Sequence, residues 1–116
     1  MTRLFSYDLL IAGAGISGAS LALSIAKAGA DVLVLESTKQ FRDRVRGEFI
    51  FPWGVNEAKR LGIYATIVSA GGHEIPWMDM YGGPKKLFHG NLANTTKAAV
   101  PAVTFYQPKV QEALAE

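Results

Sequence analysis

Residues 7–36 read YDLLIAGAGISGASLALSIAKAGADVLVLE, and this stretch decides the fold. Tyr7 to Ala12 is a short apolar run, typical of a strand that is covered on both faces. Ile16 to Ala28 is apolar nearly all round, which predicts a buried helix, and Gly29 follows as a stop signal. Asp31 to Glu36 is a second strand-like run. The order strand, helix, strand predicts a βαβ unit, and such crossovers are right-handed in about 98% of cases.

A glycine-rich turn separates the first predicted strand from the helix. Residues 13–18 read GAGISG and match the pattern G-x-G-x-x-G. In this pattern the first glycine permits a tight turn, the second leaves room for a pyrophosphate, and the third lets the helix lie close to the strand. The unpaired amides of the first helical turn then favour an anion. The candidate phosphate-binding residues of this turn are Gly13, Gly15, Ile16, Ser17 and Gly18.

An acid ends the second predicted strand. Glu36 lies 18 residues after Gly18, where a carboxylate can accept hydrogen bonds from both hydroxyls of an adenosine ribose. We include the adjacent Ser37 among the cofactor-binding candidates. A bare G-x-G-x-x-G also occurs in turns that bind nothing, but here both strands, the helix and the acid fall where a dinucleotide site needs them. The pattern therefore indicates a ligand that contains ADP, without distinguishing FAD from NAD.

Composition restricts the remaining classes of function. The chain has 116 residues, of which 49% are hydrophobic, and a net charge of +2, as expected of a globular domain with one core. It contains no Cys and only two His, so we expect no disulfide and no metal site, and a reducing, cytoplasmic location. The uncharged run Leu9 to Ala26 suggests a signal peptide or a membrane span as an alternative. Its many small residues favour a strand and a helix instead, so we expect no membrane contact.

A charged loop, Ser37 to Glu48, follows the acid and carries Arg42, Arg44 and Arg46. In an extended segment these alternate residues share one face. The loop is either a solvated basic segment or one that brings an arginine, Arg46 in particular, back to the dinucleotide. We do not expect nucleic-acid binding, because two acids dilute the positive charge and a single aromatic residue interleaves with it.

The rest of the chain informs architecture more than chemistry. Val55, Ala58 and Leu61 recur at helical spacing, and Gly62 follows as a stop. A β-hairpin is predicted from two strand-like runs, and the connector after it leads to a last helix. The predicted segments are Ile75 to Tyr81, in which Pro76 suits an edge strand, Lys86 to Leu92, the connector Asn91 to Ala102, and the helix Pro108 to Glu116.

Four segments together resemble the FAD-dependent aromatic-hydroxylase type of flavoprotein monooxygenase, within the glutathione-reductase-like FAD superfamily. The first, residues 8–37, looks like the ADP-binding unit of that family. The second, RVRGEFIFPWGVNEAKRLGIY at 44–64, looks like its arginine-containing segment and short helix. The third, TFYQPKVQEAL at 104–114, is similar to its strand-to-helix stretch that faces the cofactor. The fourth is the loose β excursion between the others. The resemblance spans nearly the whole chain, and only the first segment is specific.

The resemblance implies FAD as the cofactor. Arg46 would contact the FAD diphosphate or ribityl chain, although the register could favour Arg44. Gln107 would hydrogen-bond the middle of the cofactor, at a site where the family often has Arg. In the intact family NAD(P)H reduces the flavin and O₂ supplies an oxygen atom to an aromatic or similar small molecule. A related FAD-dependent reductase or halogenase, or a non-catalytic module that binds ADP or NAD, remains an alternative.

The resemblance also implies an incomplete domain. The family's later Gly-Asp motif, further strands and substrate domain have no counterpart in residues 1–116, so we expect one N-terminal portion of an FAD-binding domain, inactive alone. We name no catalytic residue for this reason. The predicted fold is α/β, a Rossmann-like βαβ unit with an inserted β-hairpin. We expect the parallel strands and the hairpin to form one sheet, whose exposed edge permits self-association.

Overall fold

The structure, a computed structural model, describes residues 5–116. Four helices, seven short strands and one 3-10 helix alternate along this part of the chain. In order they are β1 (Leu9–Ala12), α1 (Ile16–Lys27), β2 (Val32–Leu35), β3 (Phe49–Ile50), α2 (Pro52–Arg60), α3 (Tyr64–Ser69), β4 (His73–Ile75), β5 (Trp77–Gly82), β6 (Lys85–Asn91), the 3-10 helix (Leu92–Thr95), β7 (Ala102–Thr104) and α4 (Gln107–Ala115).

The βαβ unit is present as predicted. β1 and β2 pair in parallel, from Leu9 opposite Val32 to Ala12 opposite Leu35. α1 connects them and contacts both strands. The helix ends where Gly29 adopts φ 96°, a left-handed conformation that other residues rarely take. The sequence-based prediction of an α/β fold with a parallel βαβ unit is therefore confirmed.

The burial of this unit differs from the prediction. Side chains of β1 alternate between half-buried and exposed, and Leu10 keeps 57% of its surface exposed. Leu21 on α1 is 49% exposed, so this helix is not buried on all sides. Among the described residues, α1 covers one face of the two strands and no element covers the other. The apolar sequence of β1 and α1 predicts that both elements are buried on all sides. That prediction is wrong for the described residues.

The hydrophobic core lies beside α1 and is built mostly from later elements of the chain. There α2, α3, β7 and α4 pack together, and α1 contributes Ala19 to the same cluster. Val55, Ile67, Val103 and Val110 are each 0–1% exposed. β7 is the middle strand of a three-stranded antiparallel sheet in the order β3-β7-β4. The core therefore fixes α4 against α1, and both helices border the site described below.

The predicted hairpin is present but stands apart from the parallel strands. β5 and β6 pair only with each other, joined by a two-residue turn at Gly83 and Pro84. The expectation that hairpin and parallel strands share one sheet is wrong. Pro76 lies in neither strand, because β4 belongs to the three-stranded sheet and the chain changes sheet at this residue. The connector after β6 also contains structure, the 3-10 helix and the start of β7.

Gly18 is the closest contact between α1 and the turn before it. A Cβ atom on Gly18 would lie 2.0 Å from the Gly13 carbonyl oxygen and 3.4 Å from the Ile11 side chain. The obstacle is backbone, which cannot rotate away as a side chain can. Only glycine therefore allows the helix to lie this close to the turn and to β1.

We expect Gly18→Ala to destabilise the chain, because the added methyl group forces α1 away from the turn, and such overpacking costs roughly 1–3 kcal/mol. The free energy of unfolding, measured in urea, tests this. Leu21→Ala, on the exposed face of the same helix, is the control and should unfold close to the wild type. If Gly18→Ala unfolds at the same urea concentration as the wild type, α1 and the glycine turn are farther apart at this position than the structure shows.

Candidate functional site

The glycine turn leaves the N-terminus of α1 without a side-chain cap. Gly13 adopts φ 104°, and its amide donates to the Leu35 carbonyl at 2.7 Å, which ties the turn to the end of β2. Gly15 is the N-cap of α1, and no side chain caps the helix there. The first helical turn carries no acid. Its free amides and the helix dipole, equivalent to about half a positive charge, are therefore open to an anion.

Glu36 clamps this turn from the end of β2. Its Oε2 accepts a hydrogen bond from the Ala14 amide at 2.7 Å, and its Oε1 accepts one from the Thr38 amide at 2.6 Å. The Ala14 bond is the main cause that lowers the pKa of Glu36 below its ordinary value of 4.5, and the bonds from Thr38 lower it further. Each carboxylate oxygen has a second lone pair, so Glu36 can still accept hydrogen bonds from a ligand.

A polar cavity of about 260 Å³ lies in front of Gly15. It brings together four predicted site residues from distant parts of the sequence: Gly15, Glu36, Arg46 and Gln107. Its complete lining is Gly15, Glu36, Thr38, Phe41, Arg42, Arg44, Arg46, Gln107 and Gln111. Because both Arg44 and Arg46 border the cavity, the structure does not separate the two registers that the sequence left open.

Two helix N-termini meet at this cavity. Gly15 caps α1, and Gln107 is the first residue of α4, whose first turn also lacks an acid. The cavity is also lined by three arginines of the charged loop, Arg42, Arg44 and Arg46. Against these positive groups stands one carboxylate, Glu36, which two backbone amides already neutralise in part. The electrostatic balance favours an anion with several oxygen acceptors.

The other predicted residues lie around the cavity rather than in its wall. Ile16 packs against the hydrophobic core, Ser17 is exposed, and Gly18 lies under the Gly13 carbonyl. Gly13 and Ser37 border a separate open groove at the carboxyl ends of β1 and β2, together with Glu36. Ile16, Ser17 and Gly18 can therefore contact an anion in the cavity through their backbone amides at the start of α1.

Sequence reasoning missed several residues of the cavity wall. Thr38 and Phe41 follow β2 in a loop whose path no local pattern predicts. Gln111 lies four residues after Gln107, and this helical spacing places both amides on the same face of α4. The spacing was visible in the sequence, and it would have indicated Gln111 once Gln107 was considered.

The residues present suit a dinucleotide diphosphate. A Cβ atom on Gly15 would project beside the cavity with its nearest neighbour, Gln111 Nε2, 3.9 Å away. No protein atom therefore requires glycine at this position, in contrast to Gly18. A ligand that approaches the Gly15 backbone closely, as a pyrophosphate does in the G-x-G-x-x-G pattern, would explain the glycine.

Comparison with known proteins decides the family. Residues 6–116 match the family model described as an FAD binding domain. The chain belongs to the FAD-binding domain family. This match confirms the predicted resemblance to an FAD-binding flavoprotein family and FAD as the cofactor of that family.

The chain is also similar to other proteins in sequence and in fold. The chain is 32% identical to squalene epoxidase of Schizosaccharomyces pombe over 72% of its own length and 17% of that protein. It is 30% identical to menaquinone reductase of Mycolicibacterium smegmatis, covering 81% and 23%. Its fold matches p-nitrophenol 4-monooxygenase PnpA of Pseudomonas putida with a TM-score of 0.74 at 23% identity, covering 91% and 27%. The chain thus spans less than a third of each of these proteins.

The described residues show neither a metal cluster nor a membrane-spanning helix. Residues 5–116 contain no group of three or more His, Cys, Asp or Glu side chains placed to hold a metal ion. Within the same residues, no helix has both the length and the apolar character needed to cross a membrane. α1 begins only at Ile16, so the uncharged run Leu9 to Ala26 is divided between β1, the glycine turn and this helix.

We expect the contribution of Glu36 to stability to depend on pH. Because its pKa is lowered in the folded chain, the stabilisation is present above pH 4.5 and is lost as the pH falls through the folded-state pKa. Glu36→Gln should therefore unfold at a lower temperature than the wild type at pH 7. The difference between the two melting temperatures should shrink as the pH is taken from 5 to about 3. A difference that stays constant over this range would refute the clamp.

Proposed function

We propose that this chain binds FAD through the polar cavity and serves as the FAD-binding part of a flavoprotein monooxygenase. One observation carries the proposal: two helix N-termini and three arginines border the cavity at Gly15, and no protein atom lies closer than 3.9 Å to the position that a Cβ would take there. A diphosphate supplies the negative charge and the many acceptors that this arrangement favours.

The dinucleotide would lie across the carboxyl ends of β1 and β2. Its diphosphate would accept hydrogen bonds from the first turn of α1 and from Arg46 or Arg44. The adenosine ribose would lie at Glu36, whose remaining lone pairs accept from the two hydroxyl groups. Ser37 borders the groove beside Glu36, and Gln107 would donate to the middle of the cofactor from the start of α4.

The proposed reaction is the transfer of one oxygen atom from O₂ to an aromatic or similar small molecule, with NAD(P)H as the reductant. Bound FAD supplies the redox chemistry, and the residues of this chain bind and orient it. Squalene epoxidase and p-nitrophenol 4-monooxygenase, both named for oxygenation, support this reading. No residue of this chain is proposed as catalytic.

An FAD-dependent reductase is the second candidate. The observation in its favour is the similarity to menaquinone reductase, which extends over a larger share of this chain than the similarity to squalene epoxidase. The two candidates use the same FAD site and differ in what the reduced flavin meets. Consumption of O₂ with formation of an oxygenated product, measured on the full-length protein, supports the monooxygenase, and reduction of a quinone without oxygenation supports the reductase.

Residues 1–116 are proposed as the N-terminal portion of one FAD-binding domain. The cysteine-free composition supports a cytoplasmic location as part of the proposal. The open edges of the two-stranded β1–β2 sheet in the described residues support self-association of the isolated chain. Sedimentation of the chain at several concentrations measures that association.

We expect Gly15→Ala to abolish FAD binding without harming the fold. The new methyl group meets only Gln111 Nε2, at the ordinary contact distance of 3.9 Å, but it occupies the space where the diphosphate approaches the backbone. Calorimetric titration with FAD and with ADP measures the affinity, and thermal unfolding measures the fold. A variant that keeps wild-type affinity for both ligands would overturn the proposed site.

A further inference from the structure

Gln111 has a position that the binding of a dinucleotide at Gly15 does not by itself explain. It lies in the middle of α4, between Val110, which is fully buried, and Leu114, which is 6% exposed. Its own side chain is half-buried and borders the polar cavity rather than the core. The Gln111 amide therefore belongs to the wall of the cavity and not to the core.

The amide faces the glycine turn across the cavity. Gln111 Nε2 is the nearest atom to the point where a Cβ on Gly15 would stand, at 3.9 Å. Among residues 5–116, no hydrogen bond joins the Gln111 side chain to another group. The amide borders the cavity, so its two N–H groups are available to a ligand there that carries oxygen acceptors.

We propose that Gln111 is a cofactor-binding residue that donates an amide hydrogen to the diphosphate from the α4 side, opposite the first turn of α1. This inference rests on the proposed function, because it takes Gly15 as the place of the diphosphate. Gln111 and Gln107 form a ladder of two amides one helical turn apart, so the cofactor is held along α4 at two points.

A neutral donor is suited to this wall of the cavity. The three arginines on the charged loop already supply positive charge, and another cation on α4 would be repelled by them. A carboxylate at position 111 would instead repel the diphosphate and pair with the arginines. An amide adds donors without changing the charge, and it selects for a ligand with oxygen acceptors at this point.

Two substitutions and one control test the inference on the full chain. Gln111→Glu keeps the shape and places negative charge against the diphosphate, and Gln111→Leu removes the donors. Lys109→Gln changes the net charge of α4 by the same amount as Gln111→Glu, at an exposed position outside the polar cavity. Affinities for FAD, ADP and adenosine are measured by calorimetry, and thermal unfolding shows that each variant is folded.

We expect Gln111→Glu to weaken FAD and ADP about tenfold or more, as is typical for loss of a hydrogen bond to a charged group. Gln111→Leu should weaken the binding of both ligands by a smaller factor, and Lys109→Gln should bind them as the wild type does. The affinity for adenosine should be the same in all three variants as in the wild type. If Gln111→Glu does not fold, Gln111→Leu carries the comparison.

The inference is overturned if the folded Gln111 variants bind FAD and ADP with wild-type affinity, or if their loss is the same for adenosine, which has no phosphate. Gly15→Ala separates this failure from failure of the proposed function. If Gly15→Ala loses binding while the Gln111 variants keep it, only the role of Gln111 is wrong. If Gly15→Ala also binds normally, the diphosphate lies elsewhere.

Discussion

The hydrogen bond from the Ala14 amide to the Glu36 carboxylate connects the turn after β1 to the end of β2, at the point where a ligand would bind. β1 and β2 have four residues each, and one further backbone bond, from Gly13 to Leu35, continues their pairing into the turn. Such a short parallel pair does not determine the shape of the turn that follows it. The hydrogen bond to Glu36 holds the turn against the end of β2, and the close contact of Gly18 with the Gly13 carbonyl holds α1 against the turn.

From this constraint the electrostatics of the cavity follow. The clamp uses the one carboxylate in the cavity wall to satisfy backbone amides, which reduces the repulsion that it would exert on a diphosphate. The core places α4 beside α1, so a second helix N-terminus and two amide side chains reach the same space. Three arginines complete the wall. Each helix N-terminus, amide and arginine contributes a modest attraction in water, and together they favour the binding of a multiply charged anion.

The sequence predicted those features whose signals are local. The βαβ unit, the helix before Gly62, the hairpin and the last helix each depend on periodicity and on a nearby glycine or proline, and the structure contains all four. Gly15 and Gly18 look equivalent in the sequence motif, whereas the structure gives them different reasons: backbone contact at Gly18 and open space at Gly15. The burial of Leu10 was mispredicted because composition does not show which neighbours are present. The separate hairpin sheet was missed because strand pairing between distant segments depends on tertiary packing. Gln111 was missed although it lies one helical turn after Gln107.

The position of a bound diphosphate relative to Gly15 decides whether the proposed FAD site is right. A crystal structure of the chain with bound ADP measures this directly. The account predicts phosphate oxygens within hydrogen-bonding distance of the amides in the first turn of α1, with the ribose hydroxyls at Glu36. An ADP molecule bound away from the start of α1, or a first turn whose amides meet no phosphate, would contradict it.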